Sequence, residues 1–282
     1  MKYDRYFPTI SAYATDFGGM NIVYHTRNGP VLINRHDVYI GGSLKHYGEF
    51  SHLEWVLLEQ LTPEGSIVCE VGANFGAHTV NLGKLVGPNG AVHAFEPQRL
   101  VFQGLCGNVA LNGLQNVWCY HLAVGNESGQ ITVPPINYTE AANIGGLSLR
   151  EDGPGERVGL VKLDDVLDVP ELQLIKIDVE GMEENVLKGA AGLIAKHRPG
   201  LYVENDRLEK SESLIRYIQS LSYRLYWHLP PLFNPDNYFN EQTDIFGNVA
   251  SINMLCIPSE TNLQIEGLIE ISDPKRHPLT GI

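Results

Sequence analysis

The stretch SIVCEVGANFGAHTVNLG, Ser66 to Gly83, carries Glu70, Gly72, Asn74 and Gly76 at alternate positions where an apolar run gives way to a helical pattern. Glycines at such a turn let the backbone approach a ligand closely. The turn has no Lys or Arg, which argues against a mononucleotide P-loop and its Gly-Lys-[Ser/Thr] ending. Asn74 stands where a dinucleotide GxGxxG turn would often have its middle glycine. Downstream, AVHAFEP ends on Glu96, 24 positions after Gly72, and a carboxylate so placed can accept both hydroxyls of a ribose. Turn and acid together point to a nucleoside-containing ligand, against the plainer reading of a turn used for packing. Glu70 interrupts an apolar run, and a buried carboxylate there needs backbone amides or a ligand ammonium as partner.

Two further acidic groups follow. LIKIDVEGMEE presents Asp178, Glu180, Glu183 and Glu184, and PGLYVENDR exits on Glu204, Asn205 and Asp206. A strand period of two would put Asp178 and Glu180 on one side. Glu183 and Glu184 read more simply as acids at a helix N-terminus. Hard oxygen ligands from two neighbouring strand ends could bind Mg²⁺; the alternative is that Glu204 hydrogen-bonds substrate hydroxyls or a helix. His228, in YWHLPPLF, is a third candidate base beside Asp178 and Glu204, although a lone histidine is more often structural. His78 reads first as a core or surface residue.

These groups need a scaffold of alternating elements. Strand-like runs fall at Ile67–Val71, Val92–Phe95, Val117–Leu122, Leu174–Val179, Leu201–Val203, Tyr223–Trp227 and Ser251–Ile257, with helical patterns at Ala77–Val86, Gln98–Leu111 and Glu183–Ala195 between the first five. Alternating βα units imply a doubly wound α/β fold with a parallel sheet and a ligand site at the strands' carboxyl ends. Ahead of it, NIVYHT and VLIN flank RNGP as a hairpin. SHLEWVLLEQL reads as a helix with Ser51 and Glu54 as capping box and Leu53, Val56, Leu57 and Leu61 on one face. The division expected is a 1–50 accessory segment, a 51–260 cofactor-binding domain and a 261–282 tail. The 23-residue connection HLPPLFNPDNYFNEQTDIFGNVA is too long to be idle. Its aromatics, with Tyr226 and Trp227, could stack on a sugar or belong to the core. ANIGGLSL, with Asn143 and Ser148, reads as a loop on the substrate side.

The segments VCEVGANFGAHTVNLGKLVGPNGAVHAFEP, NVALNGLQNVWCYHLAVGNESG and LIKIDVEGMEENVLKGA resemble the FkbM-type S-adenosylmethionine-dependent methyltransferases over residues 38–205. GGSLKHYGEFSHLE is similar to that family's usual lead-in. The resemblance implies a class I methyltransferase fold, Rossmann-like, with a seven-stranded sheet whose last strand is antiparallel. It also implies methyl transfer to an oxygen of a small molecule or sugar, with Gly72, Asn74 and Gly76 along the methionine and ribose, Glu96 on the ribose hydroxyls and Ala123 near the adenine. The cofactor's amino group would suit Glu70. In-line displacement leaves the protein to orient the reactants and take a proton. Asp178 is the first candidate for either task, its alternative being a cap on the following helix. A non-catalytic binding module and an NAD-dependent oxidoreductase are the rival readings; Asn74 and the lack of a Tyr-x-x-x-Lys set count against the second.

Composition sets the limits. With 33 acidic and 20 basic residues the formal charge is −13, which argues against nucleic acid and for a small-molecule or carbohydrate partner. Four cysteines without a CxxC pair read as reduced core thiols. No apolar run approaches the roughly 20 residues of a membrane span, and the first 19 residues lack a leader's apolar core, so a cytoplasmic location is expected. Oligomeric state is left open.

Overall fold

A computed structural model describes residues 13–281. The opening twelve residues, part of the segment read as lacking a leader, lie outside the described residues. The N-terminal region is an antiparallel sheet of β1 (Ala14–Asp16), β2 (Asn21–Thr26) and β3 (Gly29–Asn34), followed by α1 (Ile40–Tyr47) and α2 (His52–Leu61). The main unit runs β4 (Ile67–Val71), α3 (Ala77–Leu85), β5 (Ala91–Phe95), α4 (Arg99–Leu111) and β6 (Val117–Tyr120). A small sheet of β7 (Ala123–Val124), β8 (Gly129–Val133) and β9 (Glu156–Val161) intervenes, with α5 (Leu163–Val166) after it. Then come β10 (Leu174–Ile177), α6 (Glu183–Gly189), α7 (Ala191–His197), β11 (Gly200–Glu204), α8 (Leu208–Ser220), β12 (Tyr223–His228), β13 (Asn253–Pro258) and β14 (Ile269–Glu270).

The main sheet has the order β14-β12-β13-β11-β10-β4-β5-β6. The five strands from β11 to β6 are mutually parallel, while β13 runs antiparallel to both β11 and β12. Counting the seven main strands in chain order gives 3-2-1-4-5-7-6, and β14 adds a short eighth at the edge. The chain leaves β4 toward β5 on one side and β10 toward β11 on the other. The carboxyl ends of β4 and β10 therefore open a crevice at the switch point. The apolar runs are buried on both faces, as a covered parallel sheet requires: Val68, Cys69, Leu174, Ile175, Ile177, Leu201 and Val203 are wholly buried.

Two sequence expectations shift. The run at Leu174–Val179 leaves the sheet after Ile177, because β4, its partner, ends at Val71. Alternation therefore does not govern Asp178 and Glu180, and Glu180 turns into the left-handed region with φ +55°. Helix α2 buries only part of the face its apolar residues suggest: Leu57 and Leu61 pack on the core, Leu53 and Val56 are exposed, and the fully buried residues are Glu54 and Leu58. Ser51 does meet Glu54, but side chain to side chain at 3.0 Å rather than as a cap on the backbone.

The connection from β12 to β13 folds back over the N-terminal region. Glu49 accepts from Arg27 Nε (2.6 Å), Asn234 Nδ2 (2.8 Å) and the Tyr238 amide (3.0 Å). The Tyr47 hydroxyl donates to Thr243 O and accepts from the Ile245 amide. The same connection lines one side of the crevice through Leu232, Val249, Ala250, Ser251 and Ile252. Among the described residues no helix is long and apolar enough to cross a membrane.

Candidate active site

A cavity of about 540 Å³ opens at the carboxyl ends of β4 and β10. Gly72, Asn74, Glu96, Asp178, Glu180 and Glu204 all line it, and Glu70 and His78 lie along its floor. A narrower cleft of about 40 Å³ continues from it between Phe95, Pro97, Leu122, Ala123 and Leu147, sharing Gly72, Glu96 and Asp178 with the larger space. The wide polar space and the narrow apolar cleft suit the two ends of a nucleoside with a charged tail.

The turn is built by backbone constraint. Gly72 has φ +84°, and a Cβ there would sit 1.7 Å from the Asp178 carbonyl oxygen. Only glycine fits where the exits of β4 and β10 converge. Asn74 takes φ +53°, a conformation asparagine tolerates better than most residues. Its amide donates to Glu96 Oε2 at 2.9 Å, and the Gln98 amide donates to Glu96 Oε1 at 2.8 Å. Glu96 thus ties the first turn to the end of β5. Gly76, at φ +86°, is set back against Leu105 and shapes the start of α3.

A row of polar side chains crosses the sheet beneath the cavity. Glu70, Lys176 and Tyr202 are aligned in register on β4, β10 and β11, all three buried. Glu70 Oε2 accepts from the Thr79 hydroxyl at 2.5 Å. Lys176 Nζ lies 3.4 Å from Asp178 Oδ2. His78 Nε2 is 3.5 Å from Glu54 Oε1, and Asn253 Nδ2 donates to the Tyr202 hydroxyl. Burial would depress the Lys176 ammonium, but Asp178, Glu54, Glu70 and Glu204 hold it above the ordinary lysine value. Burial lowers His78 to about 3, with the Lys176 charge adding to the effect, so its ring is neutral. Lys176 was not singled out from the sequence, and Glu54 was read only as a capping-box acid. Lys176 carried the same signal as Glu70, a charge interrupting an apolar run.

Burial raises both Glu70 and Glu96 to about 7; Lys176 and the Thr79 hydroxyl oppose this at Glu70, and the Gln98 and Asn74 amides oppose it at Glu96. Glutamate in the unfolded chain ionises near 4.5. Between those values the fold binds more protons than the unfolded chain, so these groups cost stability as pH rises through that window. Glu70→Gln should therefore gain on wild type between pH 5 and 8, by a few degrees in Tm of the ligand-free protein. Parallel melting curves at every pH would contradict the shift.

The remaining candidates separate. Asp178, Glu180 and Glu204 each offer an oxygen within 4.8 Å of the others. Glu180 is ion-paired to Arg207, and burial followed by the Asp178 charge raises its carboxyl to about 7. Asn205 is turned away toward Met254. Asp206 stays on the cavity wall, 3.3 Å from Arg207. His228 meets the Tyr202 hydroxyl at 2.8 Å and lines a separate groove with Leu53 and Leu255. Asn143 lines the cavity, while Ser148 donates to the Glu180 carbonyl. Tyr226 and Trp227 belong to the core, and Phe233 and Phe246 pack on Tyr47. The aromatic rings on the cavity wall are instead Tyr39 and Phe50, from the N-terminal region.

The 3-2-1-4-5-7-6 order with an antiparallel seventh strand, and a glycine turn after the first, define a class I methyltransferase fold. The family model for the methyltransferase FkbM domain matches residues 70–225, and the chain belongs to that family of S-adenosylmethionine-dependent methyltransferases. A protein described as Methyltransferase 1 of Beauveria bassiana (strain ARSEF 2860) is 27% identical over 184 residues, covering 56% of this chain and 73% of its own. The solved methyltransferase FkbM from Methylobacillus flagellatus KT is 19% identical, with a TM-score of 0.47 over 68% of this chain. The match spans 44% of that protein's length. Aeropyrum pernix fibrillarin, solved with natively bound S-adenosyl-L-methionine, is 11% identical with a TM-score of 0.44, over 86% of this chain and 96% of its own.

Proposed function

We propose that the protein transfers the methyl group of S-adenosylmethionine to a hydroxyl of a small polyhydroxylated acceptor, a sugar, glycan or secondary metabolite. The observation that carries this reading is a single cavity with the glycine turn on one wall and Asp178 on the adjoining one. In this reading Glu96 accepts the ribose hydroxyls, Gly72 and Asn74 flank the ribose and methionine, and Gly76 sets the turn. Ala123 lies beside the adenine in the narrow cleft, and Glu70 supplies negative charge beneath the cofactor's amino group. Asp178 orients the methyl donor or takes the acceptor proton. The attacking oxygen forms the new C–O bond as the C–S bond breaks, its electron pair stays on sulfur, and the proton leaves to a nearby base.

The wall chemistry bears on the acceptor. Glu54, Glu70, Glu96, Asp178, Glu180, Glu204 and Asp206 line the cavity against Lys176 and Arg207, and both cations are already paired. A polyanionic acceptor would meet repulsion there, whereas hydroxyl groups find acceptors. Calorimetric titration with S-adenosylhomocysteine, with NAD⁺ as control, tests the cofactor; labelled methyl transfer to a panel of sugars, glycans and phenolic metabolites tests the acceptor. Binding of NAD⁺ alone would overturn the reading.

Glu96→Ala removes the shared acceptor of two backbone amides as well as the ribose partner. We expect S-adenosylhomocysteine affinity to fall by about ten-fold or more, with a stability loss of about 1–3 kcal/mol. Unchanged affinity would remove Glu96 from the ribose.

A further inference from the structure

We propose that Asp178, Glu180 and Glu204 form a site for one hard divalent cation of the Mg²⁺ or Mn²⁺ type; the proposal rests on the methyltransferase reading of the cavity and deepens it. One oxygen from each residue lies within 4.8 Å of the other two. The carboxylates come from adjacent parallel strands: β10 releases Asp178 and Glu180 just past its end, and β11 ends on Glu204.

The charge at this wall is unbalanced. Lys176 reaches Asp178 at Oδ2, 3.4 Å away. Arg207 is shared between Glu180 and Asp206. Among the described residues no cation forms an ion pair with Glu204. Its Oε2 is closed off from solvent and has no hydrogen-bond partner there. Its neighbours within that 4.8 Å cluster are the carboxylates of Asp178 and Glu180. Such an arrangement is costly in the ionised form unless a cation sits among the oxygens.

The donor set selects the ion. Three carboxylates without thiolate or imidazole favour a small hard cation over zinc or copper. The same three residues line the cavity, so the remaining coordination positions face the acceptor space, where water or two neighbouring hydroxyls can fill them. The substrate class that fits is a vicinal diol or catechol. A bound ion would make such a hydroxyl easier to deprotonate.

The test is titration of Mn²⁺ into the full chain saturated with S-adenosylhomocysteine, following free Mn²⁺ by electron paramagnetic resonance. The expected result is one Mn²⁺ per chain, displaced by Mg²⁺, with affinity weakened by about ten-fold or more in Glu204→Gln and in Glu180→Gln. S-adenosylhomocysteine affinity should be retained in both variants, which shows that they fold. Absence of Mn²⁺ binding in protein that binds S-adenosylhomocysteine overturns the site, as does binding that neither substitution weakens. If wild-type protein fails to bind S-adenosylhomocysteine, the cofactor reading falls, and Mn²⁺ titration of the ligand-free chain then decides the cation site by itself.

Discussion

Gly72→Ala is expected to abolish S-adenosylhomocysteine binding and to destabilise the protein by more than about 4 kcal/mol, the range reserved for severe core or backbone lesions. The new Cβ would lie 1.7 Å from the Asp178 carbonyl oxygen and 2.8 Å from its carbon. Neither backbone can yield cheaply. The amides of Gly72 and Ala73 both donate to the Phe95 carbonyl at 3.0 Å, and the Asp178 amide donates to Val71 O at 3.0 Å. Relieving the contact means parting β4 from β10 where the cavity begins. A backbone at φ +84° adds about 1–2 kcal/mol for any residue with a Cβ. Gly65→Ala is the control: φ is +87°, yet a Cβ there meets nothing within 4 Å. The control should cost only the conformational part. If the two variants melt together and both bind the ligand, the close approach at Gly72 has no consequence.

That contact also marks the limit of what the sequence discloses. A glycine after an apolar run signals a turn, because only a backbone that needs φ > 0 or close approach uses glycine there. What it approaches depends on which strand lies next to β4, and no local pattern encodes that β10 does. The same holds for Lys176. Its charge inside LIKI was visible, but its alignment with Glu70 and its reach to Asp178 follow from strand register. Glu54 was legible as part of a helix and misleading as to its face. Its partners are Ser51 at the head of its own helix, His78 on α3 and Asn253 on β13, and burying that network turns Leu53 and Val56 outward. The aromatic residues of the long connection lie off the cavity wall for a related reason. Composition identified an ordered segment, whereas the N-terminal region it packs on decided which rings face the cavity.

Asp178→Asn is expected to lower kcat by about 10²- to 10⁴-fold, the range associated with losing a positioned acid–base group, measured with an acceptor identified in the transfer panel. S-adenosylhomocysteine affinity and Tm should stay near wild type. Asp178 holds little of the surrounding fold together. Its side chain is 42% exposed, and the hydrogen bond recorded for it comes from Lys176 at 3.4 Å. The start of α6 does not depend on it, because Glu183 Oε1 accepts the Gly181 amide at 2.8 Å. A capping role, the structural alternative for this residue, is thus already filled. Asparagine preserves the shape at the turn and removes the charge beside the acceptor space, while Glu54, Glu70 and Glu204 remain to balance the buried Lys176 ammonium. Whether that charge takes the proton, orients the sulfonium or holds a divalent ion, its loss falls on the transition state. A variant that turns over at the wild-type rate would exclude Asp178 from all three roles. One that loses affinity, melting temperature and rate together would return it to the scaffold.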